Sequence, residues 1–312
     1  MEFPVFDLHC DTATRLLSEN ESLYNNSLHV SLKKAEHLEK YVQVMAIWTH
    51  YKLTDSEGYD RFFEVANNLF DEIKHNDKKA ELVTSFSALD GAVNIGKTPF
   101  ILAVEDARIL ENDITRLDVL YRLGVRLMTL NWSGVSCIGG AHNTNAGLSD
   151  FGIEVLNKCF DIGIIPDISH SSFEGAEQAL EIAKSRKRPV IASHSDAFSI
   201  NPHTRNLRDK DFISIRDLGG IVGINLCPAH LSSDSSADVN DIIRHIEHYL
   251  SLGGEEAVSI GGDLDGTDLP IGFSDISDIQ IIVEELSRLN YSNELIDKIT
   301  FENAFNFFKN HL

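Results

Sequence analysis

Imidazole and carboxylate side chains recur at the ends of short apolar runs in this sequence. His9 and Asp11 end the first run two residues apart, so both project to the same side of an extended strand. Later runs end in Glu105, His170 and His194. Three imidazoles and two carboxylates suit catalytic zinc, and a bidentate glutamate can bridge two ions. We therefore predict a site that holds two metal ions.

Asp263 ends another apolar run, within Gly-Gly-Asp-Leu-Asp-Gly at 261–266. The segment from Asp263 to Asp268 superficially resembles a calcium loop, but it lacks the later glycine and the distal glutamate of an EF-hand. A carboxylate that faces an activated water can take its proton and hand it to a leaving amine. We predict this proton-transfer role for Asp263, and a purely structural aspartate is the alternative.

These polar residues stand on a repeating pattern of strands and helices. Several of the β-rich runs are almost continuously apolar, which is typical of strands buried on both faces of a parallel sheet. Helical spacing follows in 57–75, 172–186 and 239–252. Eight strands in such a repeat favour a (β/α)8 TIM-type barrel over an open doubly wound sheet, and barrel active sites gather where strands end. The predicted strands are 4–11, 42–49, 99–105, 125–132, 164–170, 189–194, 220–226 and 258–263.

The length of 312 residues fits one barrel domain over 1–312, with a C-terminal helical extension at about 293–312 and a polar loop at 232–241. Lys plus Arg total 27 against 48 Asp plus Glu, a net charge of −21. Such a surface repels phosphate backbones and anionic lipids, so we expect neither nucleic acid nor a membrane as partner.

The N-terminal residues show no basic or extended apolar signal, and no run reaches the ~18 apolar residues of a membrane span. We expect a cytoplasmic protein. The four cysteines have no CxxC pairing and are predicted to be reduced. Cys10 lies between two predicted ligands, but strand alternation turns it away from them, so we expect a packed side chain.

The ordered motifs resemble the membrane (renal) dipeptidase family of zinc peptidases, from about Val5 to Phe307. The motifs are His9-Cys-Asp11, Val-Glu105, Asp-Ile-Ser-His170, Ser-His194-Ser, His-Thr-Arg205-Asn and Gly-Gly-Asp263-Leu-Asp-Gly. The resemblance implies a barrel with two zinc ions bridged by Glu105, one also held by His9 and Asp11, the other by His170 and His194. It implies dipeptide substrates, often with a D-residue at the C-terminal position, cleaved by a hydroxide that bridges the ions.

The same resemblance implies that Arg205 binds the free carboxylate of the substrate, since guanidinium and carboxylate match as planar forks. Trp132 stands where the family often has a substrate-binding histidine, which leaves substrate preference open. His142 is a candidate replacement, with a solvated loop residue as the alternative. Family analogy suggests a homodimer.

Two other functions remain possible from the sequence. Another binuclear barrel amidohydrolase would act on N-acyl amino acids, cyclic amides or phosphoesters. Many of those enzymes bridge their metals with a modified lysine ending strand four, whereas the predicted strand 125–132 contains no lysine. A barrel that serves only as a scaffold is the third hypothesis, and it would predict an inert residue at one or more ligand positions.

Overall fold

The computed structural model describes residues 3–234 and 236–312. In it, helices surround a set of parallel strands. The strands are β1 (Val5–Cys10), β2 (Tyr41–Trp48), β3 (Ala80–Leu82), β4 (Thr98–Glu105), β5 (Val125–Thr129), β6 (Ile165–Asp167), β7 (Val222–Ile224) and β8 (Val258–Ile260). None of the helices in this described part combines the length and apolar character needed to cross a bilayer.

The helices begin and end where capping side chains allow. Thr54 forms a capping box with Glu57 at the start of the longest helix, and Ser172 caps the helix that follows His170. The helices are α1 (Thr12–Glu19), α2 (Asp55–His75), α3 (Phe86–Asn94), α4 (Thr115–Leu123), α5 (Asp150–Ile162), α6 (Phe173–Arg186), α7 (Asp209–Asp217), α8 (Pro228–Leu231), α9 (Val239–Ser251), α10 (Ile279–Arg288), α11 (Asn293–Asp297) and α12 (Asn303–His311).

The strands close into a ring of eight positions. Hydrogen-bonded pairing runs β6-β5-β4-β2-β1-β8-β7. Two isolated parallel bridges, Asp167 with Ile191 and Ala192 with Val222, join β6 to β7 through the segment 191–192. The ring order is therefore β1, β2, β4, β5, β6, segment 191–192, β7 and β8. This confirms the predicted TIM-type barrel.

The strand predictions need correction in two places. The run 189–194 occupies its expected place in the ring, but it forms only two bridges rather than a strand. The ladder stops because the Ser193 N–H donates to the Asp167 carboxylate (3.0 Å) rather than to a neighbouring carbonyl. The sequence pattern also failed to reveal β3, a three-residue strand that pairs with β4 outside the ring.

Apolar side chains fill the barrel below the predicted ligands. Phe6 and Leu8 of β1 belong to this inner cluster, as do Ile101 and Ile191. Strict alternation after Leu8 would turn His9 outward, but the pairing of β1 with β2 shifts register between Asp7 and Cys10. Such a bulge re-aims the residues that follow it, and His9 and Asp11 thereby face the interior with Glu105.

The C-terminal tail seals the amino end of the barrel. The predicted extension at 293–312 is helical, as α11, a π-helical turn at Lys298–Glu302, and α12. Phe301, Phe307 and Phe308 join the inner cluster, and Phe308 stacks on Phe6 with ring centroids 5.0 Å apart. The single-domain assignment stays a prediction.

Candidate active site

The five predicted ligands meet at the carboxyl end of the barrel. Glu105 lies at their centre: its Oε2 is 3.4 Å from His9 Nε2, and its Oε1 is 3.0 Å from His170 Nε2 and 3.7 Å from His194 Nε2. Asp11 Oδ2 is 3.9 Å from His9 Nε2. Residues from distant parts of the sequence thus present nitrogen and oxygen atoms to one small volume.

Two groups of three share Glu105. Ligand atoms of His9, Asp11 and Glu105 all lie within 4.8 Å of one another, and the same holds for Glu105, His170 and His194. A third group within the same limit joins His9 and His194 to Asp263. Glu105 has two oxygens, one toward each of the first two groups. This is the arrangement that a pair of cations bridged by a carboxylate requires.

The electrostatics of the cluster fit a bound cation. His9 Nε2 and Asp11 Oδ1 are buried with no hydrogen-bond partner among the described residues. Burial and the neighbouring Glu105 raise the pKa of Asp11 well above its usual value. Burial opposes the charged form of His9 too, yet Glu105 and Asp11 raise its pKa to about 10. The site therefore draws in positive charge, and metal ions would satisfy both orphaned atoms.

Strained backbone and one glycine allow the cluster to pack. His170 and Asp263 follow their strands with φ values of 66° and 54°, in the left-handed region that non-glycine residues seldom adopt. A Cβ at Gly266 would lie 2.1 Å from Asp11 Oδ2 and 2.3 Å from Asp263 Oδ1. Only glycine fits between these two carboxylates.

Hydrogen bonds behind the ligands fix which ring nitrogen faces the cluster. His170 Nδ1 lies 3.1 Å from the Trp132 carbonyl, which can only accept, so Nδ1 carries a proton and Nε2 faces Glu105 Oε1 (3.0 Å) and His194 Nε2 (2.9 Å). Ser193 Oγ donates to the Asp167 carboxylate (2.5 Å) and so accepts from His194 Nδ1 (2.7 Å). Both imidazoles therefore present a lone pair at Nε2, as a metal ligand must.

Asp263 and Arg205 lie beside this cluster. Asn225, at the end of β7, donates to Asp263 Oδ2 (3.2 Å) and orients the carboxylate. Burial raises the pKa of Asp263 to about 6, partly opposed by His9. Arg205 is only 5% exposed, yet its Nε and Nη1 have no partner among the described residues. A buried guanidinium with two free donors is a receptor for an anion.

One cavity of about 710 Å³, within the size range of ligand pockets, is lined by Asp11, Glu105, His170, Arg205 and Asp263. Trp132 lines it, as does His142, which is half-buried. Burial lowers the pKa of His142 to about 3, so the imidazole is neutral there. Cys10 is fully buried with its Sγ 3.4 Å from Met45 Sδ, which confirms that it points away.

Sequence reasoning missed several residues of the site. Asp167, Ser193 and Asn225 support the ligands from behind, and Trp48 and His50 line the cavity. Asn225 offered a signal, since it ends an apolar run as the predicted ligands do. Asp167 and Ser193 belong to two of the motifs quoted above, but their supporting contacts depend on distant parts of the chain and could not be predicted.

The model of the membrane dipeptidase family, peptidase family M19, matches residues 1–311. The chain belongs to this family. The resemblance seen in the sequence motifs is thereby confirmed, and membership makes the chain a metallo dipeptidase, a hydrolase that depends on metal.

Relatives and solved structures agree with this assignment. An uncharacterized protein in the pqqA 5′ region of Klebsiella pneumoniae is 27% identical over 251 residues, which are 76% of this chain and 91% of that protein. The fold matches a dipeptidase AC described as a family M19 metallo peptidase (TM-score 0.93, 22% identity, 100% of this chain and 99% of that chain). It also matches a Rhodobacter sphaeroides metallo peptidase liganded with a phosphinate mimic of L-Ala-D-Ala (TM-score 0.90, 21% identity, 100% of both chains). At these identities the structures support the fold alone.

Proposed function

We propose that this family M19 protein is a dipeptidase that works with two zinc ions. His9, Asp11 and Glu105 would hold one ion, and Glu105, His170 and His194 the other. The observation that supports this most directly is the pair of ligand triads that share Glu105, each within 4.8 Å. Zinc bound there would polarise the peptide carbonyl and ionise a bridging water near neutral pH.

Recognition of the substrate falls to Arg205. Nε and Nη1 are buried at the cavity wall without partners, and Nη2 makes only a weak contact (3.4 Å) with the His194 carbonyl, so Nη2 with either neighbour can meet the two oxygens of a C-terminal carboxylate. Binding of that carboxylate beside the cluster places one residue between Arg205 and the scissile bond, and the walls of the cavity of about 710 Å³ would leave space for one more on the amino side. This would limit the substrate to dipeptides. The Rhodobacter sphaeroides structure, liganded with a mimic of L-Ala-D-Ala, suggests that a D-residue is accepted next to Arg205.

Proton transfer falls to Asp263. Its carboxylate lies within 4.8 Å of His9 and His194 ligand atoms, and Asn225 holds one of its oxygens. Asp263 accepts the proton of the attacking water at its free oxygen and delivers it to the departing amine. The charged guanidinium of Arg205 nearby favours the carboxylate form that this step needs.

The test is an assay of the zinc-loaded protein on L-L and L-D dipeptides, a tripeptide and an N-acetylated dipeptide. We expect only the free dipeptides to be hydrolysed. Chelation should abolish the activity, added zinc should restore it, and elemental analysis should find two zinc ions per chain. Equal turnover of the N-acetylated compound would indicate an N-acyl amino acid hydrolase, and full activity after chelation would refute the metal site.

A further inference from the structure

Three aromatic side chains, Trp48, His50 and Trp132, line one side of the cavity, and Tyr51 packs on His50 and Trp132 next to this lining. We call these four rings the aromatic wall. Trp48 ends β2 and Trp132 follows β5. The Trp48 and Trp132 ring centroids are 5.1 Å apart, and Tyr51 stacks on Trp132 at 5.9 Å with planes 15° apart. His50 stacks on Tyr51 at 4.5 Å. The four rings form one continuous surface.

The aromatic wall is open to a ligand, because its rings cover one another only in part. Tyr51 is 57% exposed, and Trp48, His50 and Trp132 line the cavity. Aromatic rings gain free energy when a further apolar or aromatic group stacks on them. An aromatic surface left open at an active site is therefore a receptor for a substrate side chain.

Arg108 holds the loop that carries the aromatic wall. Its guanidinium donates from Nη2 to the carbonyls of Thr49 (3.2 Å) and His50 (3.0 Å), and from Nη1 to the Leu53 carbonyl (2.9 Å). Arg108 is itself buried and paired with Asp106. The backbone beside Tyr51 is thus fixed before substrate arrives, which lowers the entropic cost of binding.

Ring order places the aromatic wall across from the carboxylate-binding side. In a closed ring of eight, elements four positions apart are opposite. β2 is opposite segment 191–192, which leads to Arg205, and β5 is opposite β8, which leads to Asp263. The cluster lies between the two sides, since Trp48 pairs in register with Glu105 on one side and Arg205 Nη2 contacts the His194 carbonyl (3.4 Å) on the other.

We infer that the aromatic wall binds the side chain of the substrate's amino-terminal residue, and that the enzyme favours dipeptides with a large apolar or aromatic residue there. This inference rests on the proposed function, because it takes the substrate carboxylate to lie at Arg205. With the carbonyl at the cluster, the residue on the far side of the scissile bond reaches the wall. A side chain on the carboxyl-terminal residue does not.

The experiment compares Phe-Ala, Ala-Phe and Ala-Ala, with Tyr51→Ala against the parent and Tyr24→Ala as the matched control. Tyr24 is also an exposed tyrosine, but it is not part of the aromatic wall. For the parent we expect kcat/KM on Phe-Ala to exceed that on Ala-Ala by about 5- to 50-fold, the range of a buried aromatic contact. Tyr51→Ala should reduce that ratio several-fold, and Tyr24→Ala should leave it unchanged.

A binding measurement separates this inference from the proposed function. The sequence contains two tryptophans, Trp48 and Trp132, and both belong to the aromatic wall, so tryptophan emission reports on it alone. Phe-Ala should change the emission saturably at lower concentration than Ala-Ala, whether or not it is cleaved. A saturable change in emission without hydrolysis would refute the proposed dipeptidase activity but would still support binding of the side chain at the aromatic wall. Hydrolysis with equal kcat/KM for Phe-Ala and Ala-Ala, or with a higher kcat/KM for Ala-Phe than for Phe-Ala, would refute the inference that the aromatic wall binds the amino-terminal side chain.

Discussion

Replacement of Arg205 by methionine should separate substrate binding from stability. The guanidinium offers Nε and Nη1 as free donors, and its one weak contact in the free enzyme runs from Nη2 to the His194 carbonyl at 3.4 Å. Two charge-assisted hydrogen bonds to a carboxylate contribute about 1.5–3 kcal/mol each, or about 3–6 kcal/mol together. We therefore expect Arg205→Met to lower kcat/KM on dipeptides by about 10²- to 10⁴-fold.

The same substitution should not lower the stability of the folded protein. Burial lowers the pKa of Arg205, because desolvation disfavours the charged form, and Asp263 partly opposes this. Methionine keeps much of the side-chain volume and removes an unpaired buried charge. The midpoint of thermal unfolding should stay the same or rise. Arg205→Lys keeps the charge but loses the planar fork, so its kcat/KM should fall between those of the parent and Arg205→Met.

The assay measures kcat/KM on a dipeptide and on its C-terminal amide, for the parent and for Arg205→Met. For the parent, the ratio of kcat/KM on the free dipeptide to kcat/KM on the amide should equal the factor by which Arg205→Met lowers kcat/KM on the free dipeptide. The variant should handle the two compounds almost equally, because the group that distinguishes them has gone. If the variant lost the same factor on both substrates, Arg205 would not bind the carboxylate and the reasoning would be refuted.

Three further substitutions test the supporting residues. Asp167→Asn should weaken zinc binding about 10- to 100-fold in a chelator competition, since Ser193 would no longer be oriented toward His194; unchanged affinity would contradict this. Asp263→Asn should lower kcat about 10²- to 10⁴-fold with two zinc ions still bound, and loss of an ion would show a ligand role instead. His245 is buried and neutral, with a pKa lowered to about 4 by burial. Between pH 6.5 and pH 4, the unfolded chain therefore binds a proton at this residue that the folded chain does not. This residue should contribute about 3 kcal/mol to the free energy of unfolding above pH 6.5, and the contribution should be lost as the pH falls toward 4. Denaturant unfolding of His245→Gln should therefore depend less on pH than that of the parent.

The sequence was sufficient to locate the chemistry because barrel geometry is regular. Residues that end parallel strands must meet at one face, so His9, Glu105 and Asp263 could be assigned to a single site from their positions in the sequence alone. The buried strands could be found for a similar reason, since a strand covered on both faces must be apolar. The proton-transfer and ligand roles themselves remain predictions.

The aromatic wall and the hydrogen bonds behind the ligands could not be predicted. Tyr51 lies in a polar loop, and its position depends on Arg108, which is distant in sequence and contacts the loop through backbone carbonyls. A carbonyl carries no residue identity, so no sequence pattern reveals the partner. The bridges at 191–192 are similar, because the ladder ends where a side chain, Asp167, takes the place of a backbone acceptor.

The stacking of Phe308 on Phe6 has a consequence for biosynthesis. The first strand of the barrel and the helix that seals it complete one another, although nearly the whole described chain separates them. A nascent chain still attached to the ribosome therefore exposes the apolar residues at the lower end of its barrel until residue 308 has emerged. We expect the barrel to finish folding only after that point, with its unfinished end open to chaperones in the interval.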